Sequence, residues 1–127
     1  MKTKSQIIFD NSRKMSEVSS GSISLVVTSP PYPMIKMWDD LFCFHDPKIK
    51  AALDNFSGDK AFELMHKCLD PVWKETFRVL HQGGIACINI GDATRSLNGD
   101  FKLYSNHVRI LHYLLKLGFA ILPNILW

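Results

Sequence analysis

The sequence has no long hydrophobic run, and this absence excludes a helix that crosses a membrane. No apolar run approaches the roughly 20 residues that such a helix needs. The start of the chain, residues 1–6, also lacks the hydrophobic region of a secretory signal, so we expect a cytoplasmic protein. Hydrophobic residues make up 46% and charged residues 21% of the chain, which is typical of a globular domain rather than a disordered segment.

Cysteine is scarce, and basic residues are not clustered. The three cysteines, Cys43, Cys68 and Cys87, are odd in number and widely spaced, so they predict neither a disulfide framework nor a zinc site. The five histidines do not converge on a shared face, and we therefore predict no metal site. A net charge of +3 is compatible with nucleic-acid binding, but no basic stripe indicates a dedicated DNA-binding surface.

The most informative segment is Ser29-Pro30-Pro31-Tyr32, which follows directly on the apolar run Ile23–Thr28. The run predicts a buried strand, and the two prolines predict a stiff turn at its carboxyl end, where open α/β sheets bind their ligands. The Ser29 hydroxyl and a proline carbonyl can accept hydrogen bonds from an amino group on a planar ring that stacks on Tyr32. A polyproline linker is the alternative, but linkers do not follow apolar strands of this kind.

Apolar periodicity divides the rest of the chain into strands and helices. Four runs predict strands: Ile7–Phe9, Ile23–Thr28, Ile85–Ile90 and Phe119–Leu122. Four stretches predict helices: from Asp10 or Ser12 to Gly21, near Lys48–Asn55, from Gly58 to Gly83-Gly84, and from Ser105 to Leu117 with Gly118 closing it. Because helices separate the strands, we predict an α/β fold with a mostly parallel sheet and helices on both faces.

Local signals add detail to this prediction. Asp59 is the predicted N-cap of the long third helix, and Pro71 inside that helix implies a kink or a break. Asn98-Gly99 predicts a turn. Residues 33–46, rich in aromatic side chains and methionine, are predicted to be irregular.

Residues 29–32 resemble the catalytic motif of amino-group DNA methyltransferases, which methylate N4 of cytosine or N6 of adenine with S-adenosyl-L-methionine. The resemblance extends over nearly the whole chain, through Ile7–Asn11, Arg78–Gly84, Ile85–Asp92 and the segments Leu117–Phe119 and Ile125–Trp127. The form Ser-Pro-Pro-Tyr-Pro, followed by Met37-Trp38-Asp39, is most similar to cytosine-N4 enzymes of restriction–modification systems. Adenine enzymes more often carry Asp or Asn where Ser29 stands.

The resemblance assigns roles to particular residues. It implies catalytic roles for Ser29, Pro30, Pro31 and Tyr32, and cofactor contacts for Asp10 and Thr28. It also suggests a wall over the target base or DNA, formed by Trp38, Asp39 and Asp92. Alternatives stay open at this point, because Asp10 is equally a helix cap, Asp92 a turn residue at a strand exit, and Trp38 and Asp39 part of loop packing.

The family's glycine-rich cofactor loop, a Phe-x-Gly-x-Gly turn between strand and helix, is not present in this sequence. We therefore expect residues 1–127 to be the catalytic half of an incomplete Rossmann-like methyltransferase domain, without the target-recognition segment. The expected partners are double-stranded DNA and a complementary C-terminal half or subunit that carries the glycine-rich loop. Two alternatives are an adenine-N6 DNA (or RNA) methyltransferase and a catalytically inactive fragment or partner subunit. We expect the isolated chain to be inactive.

Overall fold

Strands β1 (Ile23–Thr28) and β2 (Leu80–Ile88) form a parallel pair in the computed structural model, which describes residues 2–126. Leu25 lies opposite Ile85 and Thr28 opposite Ile88, and the Asn89 N–H continues the ladder to the Thr28 carbonyl at 2.8 Å. Strand β1 has the bounds predicted from its apolar run. Because long helical segments connect the two parallel strands, the predicted α/β class is confirmed.

Four α-helices and one 3₁₀ turn occupy the described residues: the 3₁₀ turn Lys36–Trp38, α1 (Asp39–His45), α2 (Pro47–Asp54), α3 (Gly58–Val79) and α4 (Asn106–Leu117). Helices α2, α3 and α4 confirm predicted helices. The prediction for residues 33–46 was wrong in part, because the 3₁₀ turn and α1 lie within them. Two adjacent acidic residues, Asp39 and Asp40, begin α1. Their negative charges stabilise the helix because they lie at the positive end of its dipole.

Helix α3 provides more of the buried apolar side chains than any other single element. Its apolar positions recur every three or four residues, and the side chains of Met65, Leu69 and Trp73 on that face are buried. The helix runs through Pro71 without a break, so of the two predicted alternatives the break is excluded and the kink stays a prediction. Its N-cap is Ser57 rather than Asp59, which lies in the first turn.

Strands β3 (Ala93–Leu97) and β4 (Asp100–Tyr104) form an antiparallel hairpin. The predicted turn Asn98-Gly99 is confirmed, and the positive φ values of both residues, 50° and 81°, suit a tight hairpin turn. The sequence analysis did not predict these strands, because polar and charged residues interrupt their apolar alternation. This hairpin is a second, separate sheet beside the parallel β1–β2 pair, and the sequence analysis did not predict it.

Three other predictions were wrong. Residues 7–9 form no strand, and their apolar side chains are exposed, with Phe9 at 95%. Residues 119–122 form no strand either. Gly83-Gly84 does not end a helix, because α3 stops at Val79. The glycines lie instead in a bulge of β2. Between two paired positions β2 advances by five residues, from Leu80 to Ile85, while β1 advances by only two, and Gly83 adopts the positive φ of 83° that this bulge requires.

The predicted helix up to Gly21 is replaced by a series of turns tied to the end of α3. The Arg78 guanidinium donates to the carbonyls of Met15 (2.8 Å) and Val18 (3.0 Å), and the Glu75 carboxylate accepts the Met15 N–H at 2.7 Å. The hydrogen bonds from Arg78 and from the Met15 backbone lower the pKa of Glu75 to about 2. Because these long-range bonds take the backbone groups that a helix would pair locally, the segment adopts turns.

Candidate active site

The segment 29–34 leaves β1 at the carboxyl end of the parallel pair, where the sequence placed it. Ser29 is exposed and Tyr32 is half-buried, whereas Pro33 and Met34 are fully buried. Pairing of the Thr28 carbonyl with Asn89 fixes the last residue of the strand before the segment begins. The motif therefore has a solvent-facing start and a buried end, so its polar groups are accessible while its backbone is anchored.

A tight turn anchors the buried end of the motif. The Ile35 N–H donates to the Tyr32 carbonyl at 3.2 Å, with Pro33 and Met34 as the central residues. Met34 has a φ of 68°, and proline followed by a residue of positive φ is the pattern of a type II turn. A non-glycine residue in this region is strained, and here burial of the Met34 side chain, with its N–H 3.3 Å from the Met65 sulfur, holds the conformation.

The exposed polar groups of the motif lie next to each other. The Ser29 Oγ is 3.4 Å from the Tyr32 Oη, a long contact in which either hydroxyl is able to donate. Behind the Tyr32 ring lies Gly91, where an added Cβ would come within 3.3 Å of the ring. Among residues 2–126, no backbone or side-chain donor contacts the Pro30 carbonyl oxygen. The site thus combines a hydroxyl, a free carbonyl acceptor and an aromatic face.

Asn106, the first residue of α4, connects the motif to Gly91 in the segment between β2 and β3. Its side chain is completely buried, and its Nδ2 donates to the carbonyls of Pro33 and Gly91, both at 3.0 Å. Its Oδ1 lies 2.9 Å from Nε2 of His66 on α3. All of the strong hydrogen-bonding groups of the Asn106 amide are therefore used.

The partners of Asn106 fix the state of His66. The Asn106 oxygen can only accept, so His66 must carry its hydrogen on Nε2. Burial lowers the pKa of His66 to about 4, and its Nδ1 has no hydrogen-bond partner among the described residues. The Phe62 ring and the imidazole pack in a T-shaped arrangement with centroids 4.5 Å apart. His66 is thus a neutral, buried imidazole near neutral pH.

Asp92 lies one residue beyond Gly91, and its carboxylate is directed at the start of α4. Its Oδ1 accepts the backbone N–H of His107 at 3.2 Å and contacts the His107 ring nitrogen at 2.8 Å. A carboxylate in this position stabilises the free N–H groups of the first helical turn. These contacts match the strand-exit alternative, and the base-wall role of Asp92 stays a prediction.

The two other residues predicted for a wall over the base have contacts of their own, and their role over the base stays a prediction. Trp38 is half-buried and packs against the core, and Asp39 forms a two-pronged ion pair with Arg95 through two hydrogen bonds of 2.7 Å. No hydrogen bond within residues 2–126 connects either side chain to Ser29 or Tyr32. The Asp39 carboxylate therefore holds α1 to the β3–β4 hairpin.

The predicted cofactor residues differ in burial, and their role in binding the cofactor stays a prediction. Thr28 is half-buried at the end of β1, and Asp10 is exposed, with its carboxylate accepting the Asn11 N–H at 2.7 Å. Residues 11–13 and Pro31 line one cavity of about 120 Å³ together with residues of α1 and α3. The segment that follows Asp10 is therefore a direct neighbour of the motif.

The sequence analysis missed the residues that support the motif, namely Gly91, Asn106 and His66. It also missed Arg95, the partner of Asp39. His66 falls on the apolar face of α3, and a histidine in such a position is the one available signal of a buried polar contact. Within residues 2–126, no group of three or more metal-ligating side chains is gathered, and no helix is long and apolar enough to cross a membrane.

Comparison with known proteins identifies the family. Residues 23–127 match the DNA methylase family of N6 and N4 methyltransferases. The type II methyltransferases M.MjaI of Methanocaldococcus jannaschii and M.MthZI of Methanothermobacter thermautotrophicus are each 48% identical to the chain over 98% and 100% of its length. These alignments cover 45% and 36% of the two relatives, so the chain spans less than half the length of these curated proteins.

Solved structures show the same relationship. The chain is similar to TTHA0409 of Thermus thermophilus, a candidate DNA modification methylase, with a TM-score of 0.64 and 28% identity over 87% of this chain and 39% of that one. The complex of that protein with S-adenosyl-L-methionine gives a TM-score of 0.64 at 27% identity, over 87% and 38%. This likeness confirms the incomplete Rossmann-like methyltransferase fold. The chain therefore belongs to the DNA methylase family of N6 and N4 amino-methyltransferases.

Proposed function

We propose that this chain carries the amine-binding part of a DNA methyltransferase that modifies N4 of cytosine. The observation that carries the proposal is the exposed Ser29 hydroxyl beside the Tyr32 ring at the carboxyl end of β1. A hydroxyl and an aromatic face in this position suit a planar base that bears an amino group. The target base leaves the duplex to reach such a site, and the ring of Tyr32 stacks on it.

Two acceptors prepare the amine for reaction. The lone pair of an exocyclic amine is delocalised into the base, so the nitrogen is a poor nucleophile. When the Ser29 Oγ and the Pro30 carbonyl accept the two N–H bonds, the nitrogen becomes more pyramidal and its lone pair is directed away from both acceptors. The same acceptors stabilise the positive charge that develops on nitrogen, and each contributes about 2–4 kcal/mol by analogy with other preorganised polar groups.

The Ser29 hydroxyl is free to accept. Its 3.4 Å separation from the Tyr32 hydroxyl is beyond the usual range of 2.5–3.0 Å for O–H···O bonds, so this contact is weak and is readily replaced by a base amine. The Pro30 carbonyl accepts no hydrogen bond from the described residues, so the incoming amine displaces no protein donor there.

The choice of cytosine rests on the residue type at position 29 and on the sequence that follows it. A neutral hydroxyl stands where adenine enzymes more often have Asp or Asn, and Met37-Trp38-Asp39 follows as in cytosine-N4 enzymes. Methylation of adenine N6, in DNA or RNA, is the alternative within the same chemistry.

S-adenosyl-L-methionine is the proposed methyl donor, and it supplies an electrophilic methyl group bound to a positively charged sulfur. The crystallised relative TTHA0409 binds this molecule. On this chain Thr28 and Asp10 are the proposed contacts, since Asp10 has an exposed carboxylate and the residues after it share a cavity with Pro31. The residues present fit one side of the cofactor, and the glycine-rich turn is not among them.

A complementary protein segment is the proposed source of that turn. The outer face of the β1–β2 pair exposes Leu25 at 54%, Val27 at 73% and Ile85 at 45%. Parallel strands are normally covered on both faces, so this apolar face is suited to packing against further structure. Together with the partial coverage of the relatives, it supports a larger or split enzyme that acts on double-stranded DNA.

The test uses the enzyme assembled with the segment that carries the glycine-rich loop. Incubation with DNA and S-adenosyl-L-methionine, followed by mass spectrometry of the nucleosides, should reveal N4-methylcytosine. Ser29→Ala should lower kcat by about 30- to 1,000-fold, the equivalent of about 2–4 kcal/mol. Tyr32→Ala should show a loss of similar size, and Tyr32→Phe should retain most of the turnover because it keeps the ring.

Ser96→Ala is the matched control, because Ser96 is an exposed serine on the β3–β4 hairpin away from the motif. This variant should behave as the wild type. Formation of N6-methyladenine would overturn the choice of cytosine and leave the amine chemistry intact. Near-normal turnover of Ser29→Ala would overturn the acceptor role itself.

A further inference from the structure

The buried Asn106 side chain forms the junction between the two backbone segments that bound the Tyr32 ring. Tyr32 immediately precedes Pro33, whose carbonyl receives one Nδ2 hydrogen bond at 3.0 Å. The ring itself lies against Gly91, whose carbonyl receives the other at 3.0 Å. One amide nitrogen therefore holds both the chain that carries the ring and the wall behind the ring.

The orientation of this amide is determined by its partners. Carbonyl oxygens only accept, so the nitrogen must face Pro33 and Gly91 and the oxygen must face His66. A flipped amide would direct an oxygen at two other oxygens. The junction therefore has a single stable arrangement.

His66 holds the amide from the opposite side. Its Nε2–H donates to the Asn106 oxygen at 2.9 Å, and both residues are completely inaccessible to solvent. His66 belongs to α3 and Asn106 to α4, so the contact ties the motif to the main helix of the core. Because no water competes for these groups, they hold the geometry more firmly than exposed partners would.

We propose that Asn106 is a positioning residue of the methyl-transfer site and that His66 acts through it. The inference rests on the proposed function. Asn106 fixes the separation between the backbone after Tyr32 and the backbone at Gly91. It thereby sets the position at which the stacked base presents its amine to Ser29 and Pro30. A displacement of about 1 Å at a reacting group is able to reduce the rate of an enzyme by about 100-fold.

The decisive variant is Asn106→Asp in the assembled enzyme. Aspartate keeps the size of asparagine and an oxygen for His66, but it removes both donors to Pro33 and Gly91. We expect kcat to fall at least tenfold, while KM for S-adenosyl-L-methionine changes less than twofold, because the cofactor contacts proposed for this chain lie at Asp10 and Thr28. Ile110→Val is the control, since Ile110 is buried on the same helix without a polar contact to the motif.

A pair of His66 variants tests the second half of the proposal and remains informative if Asn106→Asp does not fold. His66→Gln retains an N–H donor and should keep at least a third of the wild-type kcat, whereas His66→Leu removes the donor and should resemble Asn106→Asp. In the wild-type enzyme, ¹⁵N NMR should show that His66 carries a proton on Nε2 and none on Nδ1. A proton on Nδ1 alone would contradict the proposed arrangement.

The outcomes separate this inference from the function on which it rests. If the wild-type enzyme forms no methylated base, the proposed function fails and the positioning role fails with it. If the wild type is active and Asn106→Asp turns over like Ile110→Val, the positioning role alone is overturned. Equal losses in His66→Gln and His66→Leu would remove His66 from the proposal.

Discussion

The buried imidazole of His66 should make folding stability depend on pH in a specific direction. Burial lowers the pKa of His66 from its ordinary value of 6.5 to about 4, so the folded protein binds this proton less readily than the unfolded chain. Lowering the pH below 6.5 therefore stabilises the unfolded state. The stabilisation that comes from neutral His66 is fully present above pH 6.5, and it decreases as the pH falls towards 4.

The expected loss follows from the two pKa values. Linkage between protonation and folding gives a decrease in the free energy of unfolding of about 2 kcal/mol between pH 7 and pH 5, and of about 3 kcal/mol by pH 4. Two charged side chains, Glu63 and Arg109, face the imidazole and act in opposite directions on its pKa, so burial remains the main cause. A loss of this size is a large part of the stability of a small domain.

Urea unfolding at pH values between 4 and 7 measures this component when the wild type is compared with His66→Gln. Glutamine does not titrate, so the difference in unfolding free energy between the two proteins should shrink by about 2 kcal/mol from pH 7 to pH 5. His112→Gln is the control variant, because it makes the same replacement at an exposed histidine of α4. Parallel profiles for wild type and His66→Gln would refute the reasoning.

Two further predictions concern the ion pairs that organise α3. Arg78→Ala removes the donors that hold the turns after residue 14. Limited proteolysis should then cleave residues 15–21 at least tenfold faster than in the wild type. An unchanged cleavage rate would contradict the anchoring role. Arg109→Met removes hydrogen bonds to Glu63 and Asp70, which are only partly exposed, and should lower the unfolding free energy in urea by about 2 kcal/mol. Lys50→Met, which breaks an exposed pair, should cost at most about 1 kcal/mol, and an equal cost for both would refute this ranking.

Strand β1 and its motif were predictable because their signals are local. A β-branched apolar run specifies a strand within six residues, and two prolines specify its end, so no distant contact is needed. The same holds for α4, where Gly118, with a φ of 105°, closes the helix as predicted. Helix α3 needed only the spacing of its apolar residues. In each of these elements, local preference and tertiary packing favour the same structure.

The N-terminal segment was predicted wrongly because its local signals compete with distant partners. Residues 7–9 have the composition of a strand, yet a strand requires a neighbour, and none pairs with them among the described residues. Residues 12–21 have helical spacing, but Arg78, some sixty residues away, takes their carbonyl groups. A contact with a side chain this distant in sequence does not change the apolar spacing of the segment, so the spacing cannot reveal it.

The residues that support the candidate site could not be predicted from the sequence, for the same reason. Asn106 is 73 residues from the motif carbonyl that it holds and 40 residues from His66, so no spacing rule connects the three. A single asparagine at the start of a helix and a single histidine on an apolar face each have a common structural explanation. Their significance emerges only when the fold brings them together beside residues 29–34, because one amide then satisfies three polar groups of the interior at once, two of them buried and one partly buried. The motif therefore predicts the reacting groups, whereas the geometry proposed to position them depends on contacts between helices that the sequence does not reveal.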